Sequence, residues 1–240
     1  MDKQSRLERA LKPRLIQQTQ AMQKTVFAIH TGPVLVDVLR KLFPEMLPDV
    51  RLVNVVDDSL LADVRAAGGL IPSVTRRIIG YGTLAESSGA NAILNCCSSV
   101  GEAADLLAKA VSIPVVKIDE RMAEQAVESG SRIAVVATVA TTLDPTERLI
   151  QRKATEANRK IATRRYLVER AFDALVGGNP GEHDALVMAE IKRAMSENDV
   201  VVLAQGSMAR LLPAIHSDSP VPVLTSPRSG VEALKERLNR

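Results

Sequence analysis

Residues 92–101 read Ala-Ile-Leu-Asn-Cys-Cys-Ser-Ser-Val-Gly, and residues 200–207 read Val-Val-Val-Leu-Ala-Gln-Gly-Ser. Each stretch is a short apolar run that ends in small or polar side chains. Such runs are typical of buried parallel strands, whose carboxyl ends open into a turn. The two stretches therefore indicate an α/β fold and set the pattern sought in the rest of the chain.

The same apolar pattern recurs along the sequence and alternates with segments of helical spacing. Strands are predicted at 26–30, 52–56, 92–95, 115–118, 133–137, 200–204 and 221–224. Helices are predicted at 34–42, 101–110, 121–128, 146–154, 167–175, 185–195 and 231–238. Strands that alternate with helices predict a mostly parallel sheet with helices on both faces.

An internal repeat divides this pattern in two. An offset of 108 residues places 92–96 on 200–204 and Pro114 on Pro222, and an offset of 107 places 26–30 on 133–137. The repeat predicts two pseudo-symmetric three-layer α/β/α lobes with an active-site cleft between them. We assign 24–118 with 213–240 to the first lobe, 119–212 to the second, and 1–23 to an N-terminal arm.

Composition narrows the function classes. The chain has 240 residues, of which 46% are hydrophobic and 25% charged, as in folded proteins. Residues 1–24 hold six of the Lys and Arg residues against two acidic ones, so the remainder is nearly neutral. With three Phe, two Tyr and no Trp, the chain has few side chains for stacking on bases, which argues against nucleic acid as a partner.

Several other classes find no support in the sequence. No apolar run approaches the length of a membrane span and no signal-peptide pattern begins the chain, so we expect no membrane partner and a cytoplasmic protein. The two cysteines, Cys96 and Cys97, are adjacent, which excludes a disulfide framework. No metal-ligand spacing and no glycine-rich nucleotide loop occurs, so we predict no metal and no cofactor.

The turns after the strands supply the candidate site residues. Cys97 precedes a predicted helix, and a helix N-terminus favours a thiolate, although a small buried cysteine can simply pack. The hydroxyls of Thr138, Thr141 and Thr142 form a candidate carboxylate cradle. Ordinary capping is the alternative there, because Asp144 and Pro145 resemble a helix start.

Two ionisable side chains at strand ends are further candidates. Arg228 follows the last strand and could bind a carboxylate through its guanidinium, or it could be an ordinary surface arginine. His30 ends the first strand and could carry a proton at neutral pH, or it could be structural. Thr31 follows it in the same turn.

Three motifs together resemble the aspartate/glutamate racemase superfamily, which includes hydantoin racemases, maleate isomerases and arylmalonate decarboxylases. They are Leu-Asn-Cys-Cys-Ser-Ser-Val-Gly-Glu at 94–102, Ala-Thr-Val-Ala-Thr-Thr at 137–142 and Leu-Ala-Gln-Gly-Ser at 203–207. The resemblance implies two pseudo-symmetric lobes, cofactor-independent chemistry at the carbon next to a carboxylate, and a homodimer or higher homo-oligomer. It also implies a small carboxylate as the substrate.

The resemblance assigns roles to individual positions. In this superfamily a cysteine follows one strand in each lobe, and the two thiols face opposite sides of the acidic carbon. Cys97 occupies the first position, whereas the second is Gln205, an amide that cannot act as a base. We expect Cys97 to act as acid, base or nucleophile, with Gln205 and Ser207 on the opposite face.

The substrate carboxylate is then expected among a set of turn residues: His30, Thr31, Ser98, Ser99, Thr138, Thr141, Thr142 and Arg228. The sequence predicts a racemase or isomerase, and three alternatives stay open: a one-thiol decarboxylase, a cis–trans isomerase, and a non-catalytic protein that binds a metabolite.

Overall fold

The computed structural model describes residues 23–215 and 219–239, so all but the last residue of the predicted N-terminal arm lies outside the described residues. Its strands are β1 Lys24–His30, β2 Val50–Val56, β3 Ala92–Asn95, β4 Val115–Lys117, β5 Arg132–Ala137, β6 Ala162–Leu167, β7 Val200–Leu203 and β8 Val223–Thr225. They form two four-stranded sheets in the orders β2-β1-β3-β4 and β6-β5-β7-β8. Every strand pair is parallel.

Nine α-helices and two 3₁₀ segments connect these strands within the described ranges. The helices are α1 Val34–Met46, α2 Ser59–Ala67, α3 Pro72–Ser87, α4 Gly101–Ala110, α5 Glu120–Ser129, α6 Ala140–Glu156, α7 Glu169–Val176, α8 Pro180–Glu197 and α9 Ser226–Leu238. The 3₁₀ segments are Ser98–Val100 and Gly206–Ala214. No helix in residues 23–215 or 219–239 has the length and apolar character needed to cross a membrane.

Each sheet is covered by helices on both faces. In the first sheet Leu94 packs with α1 and α9, while its neighbour Ile93 packs with α2, α3 and α4 on the other face. In the second sheet α5 and α6 cover one face and α7 and α8 the other. Because successive strand residues point to opposite faces, nearly continuous apolar runs fill both cores. The predicted pair of three-layer α/β/α lobes is confirmed.

The sequence missed one strand and two helices. β6 has the sequence Ala-Thr-Arg-Arg-Tyr-Leu, and only Tyr166 within it is fully buried. Since β6 lies at the edge of its sheet, most of its side chains face solvent and the strand lacks the apolar run used for the prediction. Helices α2 and α3 lie between β2 and β3, where no helix bounds were predicted.

The last strand pairs differently from the predicted division of the chain. We placed 213–240 with the first lobe, but β8 is hydrogen-bonded to β7 in the second sheet. The following helix, α9, returns to the first lobe and buries Val231 and Leu234 in its core. The repeat itself aligns Val223 of β8 with Val115 of β4, the equivalent edge strand. The remaining domain boundaries stay predictions.

Ion pairs and a close approach connect the two lobes. Across the α4–α6 contact, Arg148 Nε lies 2.6 Å from Glu102 Oε1, and Arg152 Nη1 lies 3.3 Å from Asp105 Oδ2. On the other side, the backbone of Gly206 approaches Leu35 of α1 so closely that an added Cβ would lie 2.5 Å from Leu35 Cδ2. These contacts bring the carboxyl ends of both sheets to one cleft.

Candidate active site

A cavity lies between the carboxyl ends of β1 and β3 in the first lobe and those of β5 and β7 in the second. Its volume is about 130 Å³. This volume is enough for several waters or for a small organic ligand. The position agrees with the rule that open parallel sheets bind ligands at their carboxyl ends.

Nine of the eleven predicted site residues line this cavity. They are His30, Thr31, Cys97, Ser98, Ser99, Thr138, Thr142, Gln205 and Ser207. Each follows or ends a strand, so the rule that parallel strands end at the same edge accounts for their meeting. Thr141 and Arg228 are not among the lining residues.

Cys97 is at the turn that joins β3 to α4. The Asn95 side-chain amide donates to the carbonyl oxygen of Cys97 (3.0 Å), which fixes the turn. Its neighbour Cys96 also borders the cavity, but its thiol is buried in the core of the first lobe and lies 3.6 Å from the Leu94 carbonyl oxygen. Cys97 is only half-buried and is therefore the thiol that a ligand in the cavity can reach.

The expected shift of the Cys97 thiol towards the thiolate is wrong in direction. Burial raises the pKa of Cys97 above its ordinary value, although hydrogen bonds with Thr31 and Ser99 oppose that shift. The helix N-terminus does not compensate, since Cys97 precedes a single 3₁₀ turn rather than the α-helix itself. The resting thiol is therefore protonated at neutral pH, and the thiolate, when it forms, is a strong base.

Gln205 occupies the position in the second lobe that corresponds to Cys97. Its side-chain oxygen accepts from the Thr138 backbone N–H (2.9 Å), and its amide nitrogen donates to Thr142 Oγ1 (3.4 Å). Thr142 Oγ1 in turn lies 3.2 Å from Ser99 Oγ of the first lobe. Gln205 thus holds the turn after β5 and connects both lobes through two hydroxyls.

His30 lies at the end of β1 and is almost completely buried. Its Nε2 donates to Asn54 Oδ1 (2.8 Å), and its Nδ1 has no hydrogen-bond partner. Burial lowers the pKa of His30, with the Asn54 hydrogen bond opposing the shift, so the ring is neutral at neutral pH. A neutral ring with a free Nδ1 accepts a hydrogen bond from a ligand.

Two predicted binding residues lie elsewhere. The helix predicted at 146–154 begins earlier, at Ala140, so Thr141 is in its first turn and faces a neighbouring crevice with Arg65. Arg228 is in the first turn of α9, where its half-exposed guanidinium pairs with Glu45. Neither residue is available to a carboxylate in the cavity in this arrangement.

The sequence analysis missed the apolar end of the cavity. Five side chains form it: Val34, Leu35, Leu61, Phe172 and Leu175. The spacing of Phe172 and Leu175 on a predicted helix places both on one face, which was the available signal. Leu61 gave no signal, because its helix was not predicted.

A buried carboxyl group behind the Cys97 turn was also missed. Asp119 is buried, and its Oδ1 has no hydrogen-bond partner. Burial raises its pKa above the ordinary value, while Ser98 and Lys117 oppose that shift. Asp119 and Ser98 face a second, charged crevice on the far side of the turn. Within residues 23–215 and 219–239, no cluster of His, Cys, Asp and Glu is placed to hold a metal ion.

A family model described as Asp/Glu/hydantoin racemase matches residues 26–234, which span both lobes and the whole cavity. The chain belongs to this family. No curated protein matches the sequence of this racemase-family chain.

Solved structures of racemases share the fold at low sequence identity. Aspartate racemase from Picrophilus torridus has a TM-score of 0.67 and 19% identity, over 90% of this chain and 94% of that one. Glutamate racemase from Francisella tularensis in complex with D-glutamate has a TM-score of 0.67 and 14% identity, over 90% of this chain and 81% of that one. Allantoin racemase from Klebsiella pneumoniae has a TM-score of 0.64 and 16% identity, over 89% of this chain and 86% of that one. These neighbours show the two-lobed racemase fold for this family member.

Proposed function

We propose that this racemase-family chain is a cofactor-independent enzyme that moves a proton at the carbon next to a carboxylate, with Cys97 as the acid–base group. The observation that carries the proposal is the half-buried thiol of Cys97 at a strand end, facing hydroxyls and backbone N–H groups across an interlobe cavity. A small carboxylic acid or amino acid derivative is the proposed substrate.

The carboxylate is proposed to bind among the hydroxyls of Ser99, Thr138 and Thr142. Thr138 lies just before α6, whose first N–H groups lack partners within the helix and favour an anion. A carboxylate held there gains stabilisation as negative charge develops on it during proton loss from the adjacent carbon. Because the resting thiol is protonated, the step begins with loss of its proton to solvent. The resulting Cys97 thiolate accepts the proton of that carbon and becomes the thiol, which can return it.

The two lobes offer different groups to the substrate. Cys97 and His30 line the cavity from the first lobe, whereas the described residues that line it from the second carry no side chain that titrates near neutral pH. Racemisation requires a proton donor on the face of the substrate carbon opposite Cys97, and we propose Ser207 or a water for this role. The same observation favours a second candidate, a one-thiol enzyme that decarboxylates its substrate or isomerises a double bond.

The test is NMR of amino acids, hydantoins, substituted malonates and maleate incubated with the enzyme in heavy water, with chirality checked separately. We expect deuterium at the carbon next to the carboxylate, or loss of carbon dioxide from a malonate. Exchange with inversion supports racemisation, and exchange on one face supports the one-thiol reaction.

The matched controls are Cys97→Ala and Cys96→Ala. Cys97→Ala should lose the reaction by at least about 100-fold, the usual contribution of a positioned acid–base group. Cys96→Ala removes the thiol that packs in the core and should keep the reaction, with circular dichroism used to confirm folding. A fully active Cys97→Ala protein would refute the mechanism, and binding without turnover would favour a metabolite-binding protein. The predicted cytoplasmic location and homodimer stay predictions.

A further inference from the structure

The lining of the cavity combines polar groups with large apolar side chains. The polar groups proposed to bind the carboxylate are those of Ser99, Thr138 and Thr142, beside the Cys97 thiol. The set called the apolar end consists of Val34, Leu35, Leu61, Phe172 and Leu175, from α1, α2 and α7. A ligand whose carboxylate binds the polar groups therefore has hydrocarbon available to the rest of its chain within the same cavity.

None of the described residues that line the cavity is Asp, Glu, Lys or Arg. The titratable side chains among them are His30 and the two cysteines. Burial lowers the pKa of the histidine and raises the pKa of both thiols, so all three are uncharged at neutral pH. The walls thus carry no formal charge.

Two arginines lie outside these walls. The Arg65 guanidinium lies 4.2 Å from the centroid of the Phe172 ring and belongs to the neighbouring crevice with Glu169 and Asp173. Arg228 is paired with Glu45. Arg65 therefore lies behind the Phe172 ring, and no charged side chain is among those that line the cavity itself.

We infer that the substrate is an acid with a single ionised group, the reacting carboxylate, and an apolar substituent on the carbon chain. The inference rests on the proposed function and names its substrate class. The reacting carboxylate has hydroxyls and backbone N–H groups as partners. A second carboxylate or an ammonium group against the five apolar side chains would be buried without a polar partner, which is strongly unfavourable. Small branched aliphatic acids fit both the volume and the lining.

Three probes of similar shape distinguish an apolar substituent from a second carboxylate and from an ammonium group. 4-Methylpentanoate and succinate have the same number of non-hydrogen atoms and differ in an isopropyl group against a second carboxylate. Leucine is 4-methylpentanoate with an added ammonium group. Each probe is titrated against the full-length protein, and the readout is protection of Cys97 from alkylation by iodoacetamide, measured by mass spectrometry.

We expect 4-methylpentanoate to protect Cys97 at concentrations about 100-fold lower than succinate or leucine, a difference equivalent to about 3 kcal/mol. Within straight-chain acids, each added methylene should improve protection about fourfold until the apolar end is full. Equal or better protection by succinate or leucine overturns the inference. Absence of protection by every probe also overturns it.

Two lysine variants test the location of the apolar end. Leu175→Lys places a cation at that end and should shift the preference towards succinate by at least about tenfold, because a counter-ion is then present. Leu84→Lys is the matched control, since Leu84 is 59% exposed on α3 and outside the cavity. If Leu175→Lys does not fold, Leu61→Lys makes the same test, and the wild-type series decides the inference without either variant.

The outcomes separate this inference from the proposed function. Loss of the deuterium-exchange reaction in every probe, with the protection series intact, would refute the proposed chemistry and leave the binding preference standing. Cys97-dependent exchange on a dicarboxylate, with succinate as the better ligand, would refute the substrate class and leave the chemistry standing.

Discussion

Replacing Gln205 with alanine should destabilise the protein well beyond an ordinary surface change. The variant leaves the Thr138 backbone N–H without its 2.9 Å partner, in a residue that is 3% exposed. An unsatisfied buried donor costs about 1–3 kcal/mol. The lost methylene contributes about 0.8 kcal/mol. The longer bond to Thr142 (3.4 Å) contributes at the low end of the hydrogen-bond range. We therefore expect a loss of about 2–4 kcal/mol in the free energy of unfolding.

The assay is equilibrium unfolding in urea followed by circular dichroism. For an m-value of about 2–3 kcal/mol/M, the midpoint should fall by about 1 M. Gln151→Ala is the matched control, because Gln151 is an exposed glutamine in the middle of α6 and its change should stay within about 0.5 kcal/mol. If both variants lose the same stability, the Gln205 side chain does not hold the Thr138 turn and the reasoning is refuted.

Two further changes test the buried carboxyl group and the packing of α9 in the first lobe. Asp119→Asn should raise the unfolding temperature at neutral pH. Burial raises the folded-state pKa of Asp119, so this carboxyl group contributes to stability at acid pH, and the contribution is lost as the pH rises above 3.8, the ordinary pKa of the group. Thermal unfolding as a function of pH checks this, and a gain that does not shrink towards acid pH would contradict it. Gly230→Ala should cost about 1–3 kcal/mol or more in urea unfolding, because the new Cβ would lie 2.4 Å from the Ile118 carbonyl oxygen. Gly80→Ala, with no atom within 4 Å of its Cβ, is the control and should not lose stability.

The sequence predicted those parts of the fold that depend on local pattern. β3 and α4 occur at the predicted bounds, because an apolar run followed by a polar turn and a helical stripe is readable from neighbouring residues. β6 was missed because its exposed edge position removes the apolar run. Most of the polar site was predictable as well. Residues that follow parallel strands, such as Cys97 and Gln205, gather at the carboxyl edges of the sheets and meet where two such edges face each other.

The remaining site residues depend on tertiary placement. Thr141 and Thr142 are neighbours in sequence, but α6 begins before them, so helical geometry turns one side chain to the cavity and the other to a separate crevice. Arg228 follows the last strand as expected, yet Glu45 from α1 pairs with it. The apolar end comes from three helices, and no local pattern in one helix indicates what faces it across a cleft.

The two equivalent turns show why the second lobe need not supply a base. The turn at Cys97 is held by the Asn95 amide, which donates to the Cys97 carbonyl oxygen, so the thiol is not needed to hold the turn. In the second lobe the side chain at the equivalent position, Gln205, itself accepts from the Thr138 N–H and so stabilises the turn proposed to bind the carboxylate. A cysteine at 205 would supply a thiol, but it would also remove that hydrogen bond. We therefore expect the position to contribute through positioning, and proton transfer to depend on the first lobe.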